Sequence, residues 1–139
     1  MLSADGSRVV FGSSSSNLGL GAGFSQIYVR DLNTNATVPV SRADGAAGAA
    51  GSSNSLEPGI SGDGNLVVFA SAATNLNPDD ILVDRDIFVR NLSNNSTILV
   101  SRAPGLTGAK LAEYEYSQTI SSDGSTVAFE TPENIAVPG

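Results

Sequence analysis

Apolar residues along this chain fall in short runs and alternations rich in Val, Ile and Phe, and the stretches between them are built from Gly, Asn, Asp and Ser. That is the pattern of strands joined by turns, and no helical periodicity of useful length runs through it. The runs also repeat. Ser3-Ala4-Asp5-Gly6 returns as Ser61-Gly62-Asp63-Gly64 and as Ser121-Ser122-Asp123-Gly124. Phe11, Phe69 and Phe129 keep the same intervals. Ile27-Tyr28-Val29-Arg30-Asp31-Leu32 returns as Ile87-Phe88-Val89-Arg90-Asn91-Leu92, and Val40-Ser41-Arg42-Ala43 as Val100-Ser101-Arg102-Ala103. Four blocks in register establish a structural repeat of close to 60 residues.

Each unit reads as four strands, exemplified by A around Gly59–Ser61, B from Leu66 to Ala70, C from Asp86 to Arg90 and D from Thr97 to Arg102. The Asp-Gly pair between A and B is expected to form a type I′ hairpin turn, with both residues at positive φ. Asn91–Ser96 turns C into D by similar chemistry. A four-stranded antiparallel meander that is apolar on both faces must lie between copies of itself, and radial repetition achieves this in a β-propeller. The expected fold is therefore all-β: unit 1 at 1–58, unit 2 at 59–118 and a partial unit 3 at 119–139. Nine strands are expected, in the order B, C, D, A, B, C, D, A, B. The last nine residues match the opening of the loop that begins near Ser71, so the chain reads as two blades and part of a third. Open blade edges and an apolar flank predict self-association into a homo-oligomer when the chain is expressed alone.

Composition narrows the chemistry. The chain has no His and no Cys, which excludes a Ser-His-Asp triad, a cysteine nucleophile, a Cys/His zinc site and disulfides. A formal net charge of −7, with only seven basic residues, disfavours nucleic acid and anionic membrane surfaces. The longest strongly apolar run, Leu66–Ala70, is far short of the ~20 residues a membrane helix needs. Met1–Asp5 lacks the features of a signal peptide, which leaves a cytosolic protein or a leader outside this segment as the expectation.

The motif Ser-x-Asp-Gly-x-x-Val-x-Phe, then Ile-Tyr/Phe-Val-Arg-Asp/Asn-Leu, then Val-Ser-Arg, resembles the TolB-like, WD40-like (PD40) propeller repeats of bacterial exported proteins. The resemblance implies a scaffold reused for peptide binding, for gating of peptidases and for cell-surface roles, in the periplasm or outside the cell. It does not choose among them. The expected function is a non-enzymatic propeller segment that binds a protein or peptide. The alternatives are the non-catalytic propeller of a larger hydrolase or peptidase, and a lectin-like sugar binder assembled from several chains.

A meander places the B-to-C and D-to-A connections at one end of the blade, so the long loops at 12–26, 43–56, 70–85 and 103–116 are expected to share one binding face. It carries Asp44, Glu57, Asp79, Asp80, Asp84, Asp86, Glu113 and Glu115, against Arg85 and Lys110. In repeats that this chain resembles, the loop Asn75–Asp86 has a Ca²⁺-loop-like spacing with acidic residues at the places of Asp80 and Asp86, the candidate metal ligands here. Leu82 and Val83 stand where those repeats have Asn and Gly, and Gln26 stands at the Asp86 position of unit 1. The rival reading is that these carboxylates only cap turns. Glu113-Tyr114-Glu115-Tyr116 departs from the repeat, since the preceding unit has Ser53-Asn54-Ser55-Leu56 at that place, and is the candidate partner-binding segment. The recurring Asp5, Asp63 and Asp123 are read as turn residues, the recurring Arg30, Arg90, Arg42 and Arg102 as inter-blade partners of carboxylates, and the aromatics as core.

Overall fold

A computed structural model describes residues 1–21, 23–80, 83–102 and 116–130. Nine strands run through them: β1 (Arg8–Ser13), β2 (Gln26–Asp31), β3 (Thr37–Pro39), β4 (Ser55–Ile60), β5 (Leu66–Ser71), β6 (Asp86–Asn91), β7 (Ser96–Leu99), β8 (Tyr116–Ile120) and β9 (Val127–Glu130). They form three antiparallel sheets in chain order, β1-β2-β3, β4-β5-β6-β7 and β8-β9. The strand B, C and D blocks recognised in the sequence pair with one register in both larger sheets. Phe11 lies opposite Tyr28, and Phe69 opposite Phe88.

The residues that precede the first sheet lie beside β1 without forming a strand of their own. Leu2 bridges Val9, the Val10 N–H donates to the Met1 carbonyl (2.9 Å), and the Ser3 N–H donates to the Arg8 carbonyl (2.9 Å). Residues 1–3 thus lie along β1 through a single bridge and these bonds, and the first sheet has three strands and starts at B, as the repeat predicts.

The sheets pack through both faces of the middle one, as a doubly apolar meander requires. Toward the first sheet it presents Val67, Phe69, Phe88 and Leu99, which bury with Val10, Ile27, Val29 and Val40. Toward the third it presents Val68, Ala70, Ile87 and Val89, against which Ile120, Val127 and Phe129 pack. The A-to-B turns of successive sheets are hydrogen-bonded in series. Ala4 N–H donates to the Gly62 carbonyl (2.9 Å), and Gly62 N–H to the Ser122 carbonyl (2.7 Å). A Cβ at Gly62 would lie 2.9 Å from that same Ser122 oxygen, so the close approach of two turns explains this glycine.

Two expectations are corrected. The A-to-B turns are not type I′. Gly6, Gly64 and Gly124 have φ of 69°, 73° and 74°, while the preceding Asp residues are not among those at positive φ. The Gly64 N–H donates to the Ser61 carbonyl (3.0 Å), with equivalent bonds at Gly6 and Gly124. This is a type I turn closed by a left-handed glycine. It prevails because the Ser hydroxyl and Asp carboxylate bond the turn from within. The long loops also do not all share one end: Ala43–Gly45 folds back beside Arg90, Asn95 and Thr97, at the C-to-D turn of the second sheet.

Candidate functional site

The Val-Ser-Arg motif shows its purpose where strand C begins. The Ser101 hydroxyl accepts the Ile87 N–H (3.1 Å) and donates to Asp86 Oδ1 (2.8 Å). In the first sheet the Ser41 hydroxyl accepts the Ile27 N–H (2.9 Å) and donates to Gln26 Oε1 (2.5 Å). One serine thus orients one buried side chain at the first residue of β2 and of β6. The two sheets differ in what is oriented. Gln26 turns its amide nitrogen to the Gly51 and Ser53 carbonyls (2.9 and 3.3 Å), a neutral arrangement complete within the protein. Asp86 is a fully buried carboxylate.

Asp86 has company. Asp80, Asp84 and Asp86 each bring a carboxylate oxygen to within 4.8 Å of the others'. Asp80 is 2% exposed and Asp86 0%. The loop delivers Asp80 through a local turn, in which the Asp79 N–H donates to Asn77 Oδ1 (3.0 Å) and the Asp80 N–H to the Asn77 carbonyl (3.1 Å). Asp79 itself faces outward and pairs with Arg102 (2.9 Å). The structure therefore joins the two ligands expected from sequence, Asp80 and Asp86, and adds Asp84, whose signal was its place two residues before Asp86. Three convergent carboxylates are a hard-oxygen donor set of the kind Ca²⁺ takes. The corresponding loop of the first sheet, 14–25, contains no Asp or Glu.

The other candidates are distributed differently. Tyr116 opens β8 opposite Glu130, while Glu113, Tyr114 and Glu115 lie outside the described residues. Glu57 pairs with Arg85 at 3.8 Å. Asp44 is not on the long-loop end: it accepts the Thr97 N–H (2.6 Å) across the sheets. The repeated arginines were expected to meet carboxylates between blades. Arg90 does cross to the first sheet, but its partners are the Ala43 and Gly45 carbonyls (3.1 and 3.0 Å). Arg42 Nε likewise donates to the Gly48 carbonyl (2.8 Å).

Asp5, Asp63 and Asp123 are turn residues. Ser61 Oγ donates to Asp63 (2.6 Å), and the Asn65 N–H also donates to it (3.0 Å). The same bonds at Asp5 and Asp123 bring these carboxyls down to about 2, the Ser3 and Ser121 hydroxyls being the leading causes. The aromatics stack within their sheets, Phe11 on Tyr28 and Phe69 on Phe88, both with ring centroids 5.8 Å apart.

The fold is similar to that of a solved structure, TolB from Acinetobacter baumannii, with a TM-score of 0.57 at 21% identity over 96% of this chain. The fold is a TolB-like β-propeller. This chain spans about a quarter of that TolB chain, 26% of its length. No protein-family model matches the sequence, and no curated protein matches it. The TolB-like likeness establishes the scaffold on which the carboxylates sit.

Proposed function

We propose that this TolB-like segment is a non-enzymatic scaffold whose long-loop end takes a protein or peptide partner. In this proposal a Ca²⁺-like cation at Asp80, Asp84 and Asp86 holds that end in shape. The observation that supports it is the convergence of the three carboxylates where the 71–85 loop re-enters β6. Like charges so close repel, and a bound divalent cation converts that repulsion into attraction. Rigid strands beneath a cation-tied loop suit recognition, because less ordering remains to be done when a partner arrives. Among the described residues no helix is long and apolar enough to cross a membrane. The periplasm or cell exterior implied by the repeat is the compartment we assign to this role.

The cation part is tested by thermal unfolding. Calcium at about 100 times its Kd stabilises the native state by roughly 2.7 kcal/mol, equivalent to a Tm rise on the order of 5–10 °C. Asp80→Asn should abolish the rise and Asp79→Asn should leave it intact; an equal response in both variants would end the cation assignment. The binding part is tested by selecting from a displayed peptide library with and without calcium. Enriched sequences should bind the native protein and lose affinity for Asp80→Asn, whereas a selection that enriches nothing above background would overturn it.

A further inference from the structure

Arg30 and Arg90 hold the same place in β2 and β6, opposite Thr37 and Thr97. Their inner contacts are alike. Arg30 donates to the Thr37 hydroxyl (3.2 Å) and to Asn35 Oδ1 (3.0 Å), and Arg90 to the Thr97 hydroxyl (2.9 Å) and to Asn95 Oδ1 (3.3 Å). Asn35 and Asn95 even share positive φ, 58° and 62°.

Beyond that shared set the two diverge. Around Arg90 the turn Arg42–Gly45 adds two carbonyls for the guanidinium, a third for the Thr97 hydroxyl (Arg42, 2.7 Å), and the Asp44 carboxylate for the Thr97 N–H (2.6 Å). Gly45 N–H answers by donating to the Asn95 carbonyl (2.9 Å). So enclosed, Arg90 is 1% exposed. Arg30 lies on the face of its sheet opposite Val29, which packs toward the second sheet, and it is only half-buried. No turn of this kind reaches it among the described residues.

We propose that Arg30, Asn35 and Thr37 form a receptor for an Ala-Asp-Gly turn of another propeller blade, bound as Arg42–Gly45 is bound at Arg90. The guanidinium fork takes two main-chain carbonyls, and the exposed edge of β3 offers the Thr37 N–H to the Asp carboxylate. The contact between the first two sheets is the template, and the occupant continues the same blade-on-blade packing on the far side. This surface is separate from the carboxylate cluster.

A synthetic, end-blocked peptide with the sequence of Ser41–Ala50 tests the receptor, since it retains the groups that close the turn through Arg42 Nε with Gly48 and Ala43 with Ala49. In ¹⁵N spectra of the whole protein it should shift the Arg30 Nε–H and Thr37 amide signals saturably, without moving Arg90. Arg30→Lys, which keeps the charge and loses the fork, should weaken binding by about tenfold or more, as should Asp→Ala in the peptide. Absence of shifts, the same shifts with sodium acetate, or undiminished binding by Arg30→Lys would each overturn the proposal.

Discussion

Ser101 shows how much one hydroxyl governs here. It joins the start of β6 to the Asp86 carboxylate, and both groups it serves are buried. Ser101→Ala is expected to cost about 1–3 kcal/mol in urea unfolding, because the Ile87 N–H and Asp86 Oδ1 lose a partner where water does not replace it. Asp5 and Asp123 make a different prediction, in pH. Their folded carboxyls titrate near 2, below the unfolded value, so their contribution is complete above about pH 4 and disappears as pH falls toward 2. Asp123→Asn should shift the acid limb of unfolding in that window and leave stability at pH 7 to 8 without slope. Asp5, Asp63 and Asp123 were legible as turn residues because the Ser-x-Asp-Gly spacing states their chemistry locally. Asp84 was not read as a ligand, because its approach to Asp80 and Asp86 depends on the path of the loop between them.

Among the elements, the A-to-B turn sets the tightest condition. Gly64 has φ of 73°, and a Cβ there would meet the Arg8 side chain at 2.7 Å, so Gly64→Ala combines left-handed strain with displacement of a neighbouring sheet's arginine. Arg8 donates from Nη1 to the Gly64 carbonyl (3.0 Å) and Asn65 Oδ1 (2.9 Å). A loss of about 1–2 kcal/mol follows, measured by denaturant midpoint, against a smaller effect for Gly6→Ala, where no atom stands within 4 Å. Strand identities were readable from alternation and repeat. The bulges were not: β4 and β8 break register at Glu57 (φ 52°) and Ser117 (φ 53°), and neither is a residue that announces positive φ. The Gln118 amide donates to the Glu57 carbonyl, so the two bulges meet between sheets and answer to that contact.

For the whole molecule the governing fact is that β5 is buried from Val67 to Ser71, with alternate residues serving opposite neighbours. Phe69→Ala should therefore cost about 3–5 kcal/mol and abolish cooperative unfolding between the first two sheets, a loss visible in the thermal transition. The outer strands tell the opposite story. Val38 on β3 is 41% exposed and Ile98 on β7 is 52% exposed, and open strand edges carrying apolar side chains invite pairing. Light scattering is expected to give a solution mass that is a multiple of the 14.1 kDa chain, and Ile98→Lys is expected to lower it.

The linear order of residues alone determined the repeat, the strands, the doubly apolar middle sheet and the turn serines and aspartates, since each depends on neighbours a few positions apart or on a period that needs no coordinates. Tertiary structure alone decided that Arg90 grips main-chain carbonyls instead of carboxylates, that Asp44 crosses to Thr97, and that Asp84 joins Asp80 and Asp86. Those outcomes rest on where loops travel between sheets. A loop's path follows from which buried groups it must satisfy on its neighbours, and spacing along the chain does not encode that.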